Sequence, residues 1–244
     1  YKYLSILPKV SFISSFHKPK SILQKFFKIN PHIKKIDGAI ALGSNQMEFL
    51  IDNLPSRKVK LIHRGVDINF FKPSKAIVSN SRQSILYVGQ HLRDFKLLNQ
   101  VIDVVKNMKI DINIVIHPSY IQFLKNKKYL NIFTSISDSK LRSLYRNSIC
   151  LFLPFKDVTA CNSILEALAC GTPIISNKIG DNTDYLDDKC AIFANDKDSF
   201  IDSIKYLVKI KNNETMRLEA RNKALKFDWK LISQKIQKFY REVT

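Results

Sequence analysis

The residues best suited to chemistry lie between positions 157 and 176, in the sequence DVTACNSILEALACGTPIIS. A polar turn leads into a segment with apolar residues at helical spacing, and Gly171 and Pro173 predict where that helix ends. Asn162 and Glu166 lie one turn apart on its polar face. Backbone N–H groups at a helix start can bind phosphates, and a carboxylate can accept hydrogen bonds from ribose hydroxyls. This stretch predicts a nucleotide site; the alternative is a helix–strand unit of any α/β protein with a solvated glutamate.

A second candidate site follows the predicted strand SILYVG, which ends at Gly89. A basic loop there leads into a helix whose apolar residues recur at helical spacing. A strand, a glycine and a basic loop before a helix are typical of a diphosphate site. Arg93 and Lys96 are the available cations, and we favour Arg93 because its planar guanidinium can bind two phosphate oxygens. Lys96 is equally consistent with a solvated surface residue.

Two further candidates follow predicted strands earlier in the chain. His17 follows VSFISS, and Arg64 follows VKLIH. In open α/β sheets ligands bind beyond the carboxyl ends of the strands, so His17 could reach a bound molecule. The Arg64 guanidinium could lie near phosphates. The alternatives are that His17 is an ordinary surface histidine and that Arg64 belongs to a purely structural connection.

The order of predicted elements indicates an α/β protein that holds these residues on parallel sheets. Strands alternate with helices between residues 84 and 193, which is typical of a doubly wound parallel sheet. A serine-rich stretch at 75–83 predicts a linker. Before it, two strands flank a helix that we expect Ser44 to cap.

The remaining helices are predicted from periodicity and capping residues. Asp138 is the expected N-cap of one helix, and YIQFLKN at 120–126 is expected to be helical. Three helices are predicted to close the chain, at 196–208, at 213–227 and from Trp229 onwards.

Several motifs resemble those of family-4 glycosyltransferases of the GT-B architecture. LEALACGTPII at 165–175 is similar to the second half of the family's donor-site motif and places Glu166 at its ribose-binding glutamate. The motif's other glutamate falls at Val158 and is absent, while DVTACN resembles the D-A-T-A-N-N variant of one branch. HRGVD and FKP within 63–73 are similar to the signature that ends the family's first domain, and ALKFDW resembles its closing segment.

The resemblance implies roles around a sugar-nucleotide cleft. His17 would contact the donor sugar or the acceptor, and it joins Arg93 and Lys96 as the expected catalytic residues. Asp157 would contact sugar hydroxyls, while Ser135 and Ile136 would line the nucleotide base. The full donor-binding set implied is Arg64, Gly89, Ser135, Ile136, Asp157, Thr159, Ala160, Cys161, Asn162 and Glu166.

The same resemblance implies a glycosyltransferase that moves a sugar from a nucleotide-sugar donor to an acceptor hydroxyl, with retention and without a metal. The donor, such as a UDP- or GDP-sugar, would be a substrate, so no cofactor is expected. The acceptor would be a glycan or a lipid-linked molecule. The alternative is a non-catalytic nucleotide- or glycan-binding module derived from such an enzyme. Val158 in place of a glutamate, and Gln90 where the family carries an arginine, favour that alternative.

GT-B enzymes have two Rossmann-like domains, and the resemblance implies how this chain divides. Residues 1–75 would be the remainder of an N-terminal, acceptor-side domain, and 76–228 the nucleotide-sugar domain. Residues 229–244 would form a helix that crosses back to the first domain, with Trp229 as a packing anchor. Because the chain begins with Tyr1, we expect it to be part of a longer protein whose N-terminal domain is truncated here.

Composition restricts the partners. The formal net charge is +19, which indicates either attraction to an anionic surface, namely membrane lipid headgroups or nucleic acid, or compositional bias towards lysine. No nucleic-acid-binding module is found, so no nucleic-acid partner is expected. No apolar run approaches the ~20 residues of a membrane span, and we expect a cytoplasmic protein at the inner face of the membrane. The four cysteines have no C-x-x-C spacing and are expected to be reduced, with neither zinc nor disulfides.

Overall fold

The chain is described by a computed structural model that covers residues 10–74, 83–210 and 213–243. The residues in these ranges form two parallel β-sheets connected and covered by helices. Parallel strands require crossover connections, and the alternating strands and helices of the sequence supply them. The predicted α/β class with a doubly wound parallel sheet is confirmed.

The first sheet has three strands in the order β1 (Ile13–Ser15), β2 (Gly38–Ala41) and β3 (Val59–Leu61). Helices α1 (Lys20–Ile29) and α2 (Ser44–Asn53) connect them. Side chains alternate between the two faces of a strand, and β2 is apolar on both, so each face must be covered by other apolar side chains. Its two alanines pack against α1 and α2, and Ile40 faces the opposite side.

The second sheet has six parallel strands in the order β6-β5-β4-β7-β8-β9. The order reverses beside β4, the strand that Gly89 follows, so the loops after β4 and β7 flank a crevice. The strands are β4 (Ser84–Val88), β5 (Asp111–Val115), β6 (Leu130–Phe133), β7 (Cys150–Leu153), β8 (Ile174–Ser176) and β9 (Ala191–Phe193).

Helices cover both faces of the second sheet and bury one large apolar core. Asp94 caps the first of these helices, its carboxylate accepting a hydrogen bond from the Leu97 N–H at 3.0 Å. The helices are α3 (Phe95–Val105), α4 (Asp138–Asn147), α5 (Asn162–Ala169), α6 (Asn182–Tyr185), α7 (Lys197–Ile210), α8 (Glu214–Leu225) and α9 (Trp229–Val243). Short 3-10 helices lie at Pro31–Lys35, Ser56–Lys58, Pro118–Phe123 and Lys127–Tyr129.

Helix α9 covers the face of the first sheet that α1 and α2 leave open. Ile232 and Phe239 on α9 pack with Ile40, Leu42 and Ile62 in one buried cluster. At the start of α9, Trp229 packs against the backbone of Gly65, where an added Cβ would come within 2.5 Å of the indole. The last helix therefore joins the six-stranded part of the chain to the three-stranded part.

Three local predictions were wrong. Gly43, not Ser44, is the N-cap of α2, because two aspartates from another part of the chain bind the start of that helix. Ser137 caps α4 in place of Asp138, its hydroxyl accepting from the Lys140 N–H. The predicted helix at 120–126 is a 3-10 helix that begins at Pro118.

The predicted linker at 75–83 lies outside the described residues except for its last position. Within the described ranges, no helix is both long enough and apolar enough to cross a bilayer.

Candidate functional site

Most of the predicted site residues surround one cavity of about 330 Å³ between the two sheets. It lies at the carboxyl ends of β4 and β7, where the strand order of the second sheet reverses. The first sheet contributes loop residues after β1 and β3, namely His17, Pro19 and Arg64. The second sheet contributes Val88, Gly89, Gln90, His91, Leu92, Arg93, Asp157, Val158, Thr159, Ala160, Cys161, Asn162, Ser163 and Glu166.

Arg93 is a fixed positive charge in the wall of this cavity. Its Nη2 donates to the Val88 carbonyl at 2.9 Å and to the Ser163 hydroxyl at 3.1 Å. The guanidinium also lies 4.2 Å from the centre of the Phe155 ring. Gly89 makes room for it, because its φ of 92° suits glycine and an added Cβ would come 3.1 Å from Nη2. Arg93 therefore ties the loop after β4 to the start of α5.

The N-terminus of α5 opens onto the same cavity. Asn162 is the first residue of this helix, and Cys161, at the N-cap, makes no side-chain capping bond. The preceding Thr159 is only 4% exposed, and its hydroxyl has no hydrogen-bond partner in the described structure. Because a helix start carries partial positive charge, this wall of the cavity suits an anionic group.

The Cys161 thiol has a different electrostatic environment from the other cysteines. Burial acts to raise its pKa, but the Arg93 guanidinium at 3.4 Å and the Ser163 hydroxyl at 3.0 Å outweigh burial, so the pKa is lowered. Burial alone dominates at the other three, raising the pKa of Cys150 and Cys170 to about 12 and of Cys190 to about 11. All four cysteines are free thiols.

Glu166 lines the cavity one turn after Asn162, as its helical spacing predicts. Burial raises the pKa of its carboxyl, and a hydrogen bond from the Tyr145 hydroxyl at 3.0 Å partly opposes that rise. Tyr145 is fully buried on α4. The sequence analysis missed this partner, because a tyrosine among the apolar positions of a helix gives no sign of what its hydroxyl will meet.

His17 and Arg64 approach each other from the loops of the first sheet. Arg64 Nη1 lies 3.2 Å from His17 Nδ1. A guanidinium can only donate, so Nδ1 accepts and the proton of the neutral ring lies on Nε2. Burial, then Arg64 and Lys18, lower the pKa of His17, which agrees with a neutral imidazole. The pair therefore presents a cation and a neutral ring to the cavity.

Asp157 joins this cavity to an adjoining one of about 280 Å³. Pro19 and Val158 also line both spaces. The Ser21 hydroxyl on α1 donates to the Asp157 carboxylate, so this contact links the two sheets.

Three of the predicted residues do not line the cavity. Lys96 is exposed on α3. Ser135 is exposed with a φ of 50°, and the half-buried Ile136 packs against the main core. Their predicted roles stay predictions. No cluster of three or more His, Cys, Asp or Glu side chains suited to a metal occurs among the described residues.

Together these groups can bind a molecule with an anionic part and several hydroxyls. Arg93, Arg64 and the start of α5 offer positive charge and N–H donors. Glu166 and Asp157 offer carboxylate oxygens, which accept hydrogen bonds from hydroxyls.

The sequence model of the family described as glycosyl transferases group 1 matches residues 69–226. A comparison with curated proteins gives no significant match. Among solved structures, sucrose-phosphate synthase from Thermosynechococcus elongatus is similar with a TM-score of 0.81 and 15% identity, over 99% of this chain and 70% of that one.

Two other similar structures are a glycosyltransferase and a protein solved with a bound nucleotide. A glycosyltransferase from Rickettsia africae ESF-5 has a TM-score of 0.75 and 18% identity, over 95% of this chain and 70% of that one. Anabaena HepE, solved in complex with UDP and glucose, has a TM-score of 0.77 and 15% identity, over 95% and 71%. At these identities the likeness shows the fold alone, and it confirms the predicted GT-B type.

Proposed function

The chain belongs to the glycosyl transferases group 1 family, and we propose that it transfers a sugar from a nucleotide-sugar donor to an acceptor hydroxyl. The observation that carries this proposal is the single cavity that brings Arg93, the start of α5 and Glu166 together. Arg93 and the start of α5 match the diphosphate of such a donor, and Glu166 matches its ribose; Asp157, in the same cavity, matches the sugar. We place the chain in family 4, with the D-x-T-A-x-N form of the donor-site motif at 157–162.

The main physical task is to stabilise the departing nucleoside diphosphate. The bond between the sugar's anomeric carbon and the diphosphate oxygen breaks, the acceptor oxygen bonds to that carbon, and the acceptor hydroxyl passes its proton to the departing diphosphate. Negative charge grows on the diphosphate as the bond breaks, and fixed positive groups stabilise it. Arg93, Arg64 and the α5 amides supply these groups, so the reaction needs no metal. Lys96 adds long-range positive charge from outside the cavity.

Other residues bind and orient the donor. Glu166 accepts hydrogen bonds from the ribose hydroxyls, while Asp157 and the 159–162 turn contact the sugar and phosphates. His17, whose Nε2 carries the proton, donates to a sugar hydroxyl or to the acceptor. Ser135 and Ile136 contact the base through their backbone. Retention of the anomeric configuration follows the family resemblance.

The acceptor is a glycan or a lipid-linked molecule, bound from the first-sheet side of the cleft. A cytoplasmic location at the inner face of the membrane suits such an acceptor, and the net charge of +19 favours contact with anionic headgroups.

One observation favours a second candidate, a nucleotide-binding module without transferase activity. Val158 occupies the position of the motif's first glutamate, and its side chain is buried in the core at 5% exposure. It therefore offers the sugar no acceptor oxygen.

Incubation with UDP-glucose and with GDP-linked hexoses tests the proposal, with release of UDP or GDP followed by chromatography. We expect slow release, reduced at least about tenfold by Arg64→Ala. Lys205→Ala, an exposed change on α7, is the matched control and should leave the rate unchanged. Nucleotide binding without release supports the module instead, and neither binding nor release rules out both.

A further inference from the structure

Helix α2 of the first sheet has no capping side chain of its own. The first N–H groups of a helix have no partner within the helix and are normally satisfied by the N-cap side chain. Gly43 occupies the N-cap position here and has no side chain to offer. The Ser44 and Asn45 N–H groups must therefore find acceptors elsewhere.

Two aspartates from the second sheet supply those acceptors. Ser44 N donates to Asp184 Oδ2 at 2.6 Å, and Asn45 N donates to Asp181 Oδ1 at 2.7 Å. The Ser44 hydroxyl also donates to Asp184 Oδ1 at 2.9 Å, and the Asn45 amide donates to the Gly180 carbonyl. The carboxylates also complement the positive end of the α2 dipole. A helix of one sheet is thus capped by residues that follow β8 in the other, Asp181 before α6 and Asp184 within it.

Tyr185 extends this contact to the backbone beside the cavity. It is 1% exposed, and its hydroxyl donates to the Leu42 carbonyl and accepts from the Arg64 N–H at 3.0 Å. The Arg64 side chain in turn contacts His17, and both of these residues line the donor cavity. A continuous path of hydrogen bonds therefore runs from residues 180–185 to the first-sheet wall of the site.

We propose that residues 180–185 form an inter-sheet clasp whose Asp181, Asp184 and Tyr185 are positioning residues for the transfer reaction. The clasp fixes α2 and the loop after β3, and so holds Arg64 and His17 against the donor. The catalytic part of this inference rests on the proposed function. The clasp itself rests on the contacts between the two sheets.

Hydrogen exchange of single backbone amides, followed by NMR on the full chain, tests the clasp without reference to activity. Asp184→Ala should speed exchange at Ser44 by at least about tenfold, and Tyr185→Phe should do so at Arg64. Asp202→Ala, an exposed change on α7, is the control and should leave both amides unchanged. Unaltered protection of Ser44 in Asp184→Ala and of Arg64 in Tyr185→Phe would overturn the clasp.

A second experiment separates positioning from simple stabilisation of α2. Asp181→Gly removes one acceptor, and adding Gly43→Ser supplies a local cap. A serine Cβ at position 43 would otherwise lie 2.2 Å from Asp181 Cγ, so the two changes must be combined. Gly43 has extended backbone angles (φ −156°, ψ 162°), which a capping serine adopts readily.

We expect Asp181→Gly to lower the melting temperature and weaken UDP binding about fivefold, measured by calorimetry. The double variant should recover the melting temperature but not the UDP affinity. Recovery of both would show that the aspartate only caps the helix, and would overturn the positioning role. If the wild-type chain binds no UDP, the proposed function fails, and exchange at Arg64 in Tyr185→Phe still decides whether the clasp holds the first-sheet wall.

Discussion

Replacing Glu166 by glutamine separates the charge of this side chain from its shape. Glutamine keeps an oxygen that can accept from the Tyr145 hydroxyl, whereas alanine would leave that buried hydroxyl without a partner. Hydrogen bonds to a charged acceptor contribute about 1.5–3 kcal/mol, against about 0.5–1.5 for neutral ones. Losing the charge from the ribose contacts should therefore cost about 1.4 kcal/mol, a roughly tenfold loss of UDP affinity.

The same variant should change stability in the opposite direction. Burial raises the pKa of Glu166 above its ordinary value of 4.5, so folding favours the protonated form. The stability that this group contributes is fully present below the unfolded pKa and is lost as the pH rises through the folded pKa. Glutamine does not titrate, so the variant does not lose stability in this way. The variant should therefore gain stability relative to wild type as the pH is raised from 4.5 through the higher folded pKa of Glu166.

Isothermal titration with UDP and with GDP measures the first effect, and thermal unfolding across that pH range measures the second. Glu48→Gln is the control, since its side chain is 67% exposed on α2 and outside the cavity. Unchanged UDP affinity in Glu166→Gln would remove this residue from the ribose site. A variant that loses stability relative to wild type as the pH rises would refute the burial argument.

Three further predictions concern a thiol, a glycine and a histidine. Iodoacetamide should alkylate Cys161 faster than the other cysteines, because it is the one cysteine whose pKa is lowered, and bound UDP should slow this alkylation. Equal labelling of the four cysteines in peptide mass spectrometry would contradict this prediction. Gly171→Ala should lower the free energy of unfolding in urea by about 1–2 kcal/mol, since the φ of Gly171 is 71° and an added Cβ would lie 3.2 Å from the Arg217 carbonyl oxygen. An unchanged urea midpoint would show that alanine causes no strain there. Burial, with Arg64 and Lys18, lowers the pKa of His17 below 6.5, so donor turnover that needs neutral His17 should fall in acid with its midpoint below pH 6.5. A midpoint above 6.5 in the pH–rate profile would exclude that form.

Local sequence patterns were sufficient to predict helix α5 and strand β8 beside the cavity. The apolar spacing after Asn162, followed by Gly171 and Pro173, predicted both α5 and β8, because period, cap and breaker all indicated the same boundaries. The same helical period placed Glu166 on the cavity side. Such predictions need information only from neighbouring residues.

Partners distant in the sequence could not be predicted in this way. Ser44 has the chemistry of a cap, but Asp184, 140 residues later, binds the helix start instead. Arg93 was predicted to face phosphates, yet much of its guanidinium binds Val88 and Ser163. No periodicity shows which buried acceptor a side chain will meet, because that depends on how the two sheets pack together.

The packing of α9 has a consequence for how the chain folds during synthesis. Its Ile232 and Phe239 complete a cluster with the strands of the first sheet, and a Cβ added at Gly38 would lie 3.2 Å from the Phe239 ring. A ribosome adding 5–20 residues per second makes α9 roughly ten to thirty seconds after β3. During that interval one apolar face of the early strands lacks its native cover. The buried cluster on that face therefore forms only after α9 has been synthesised.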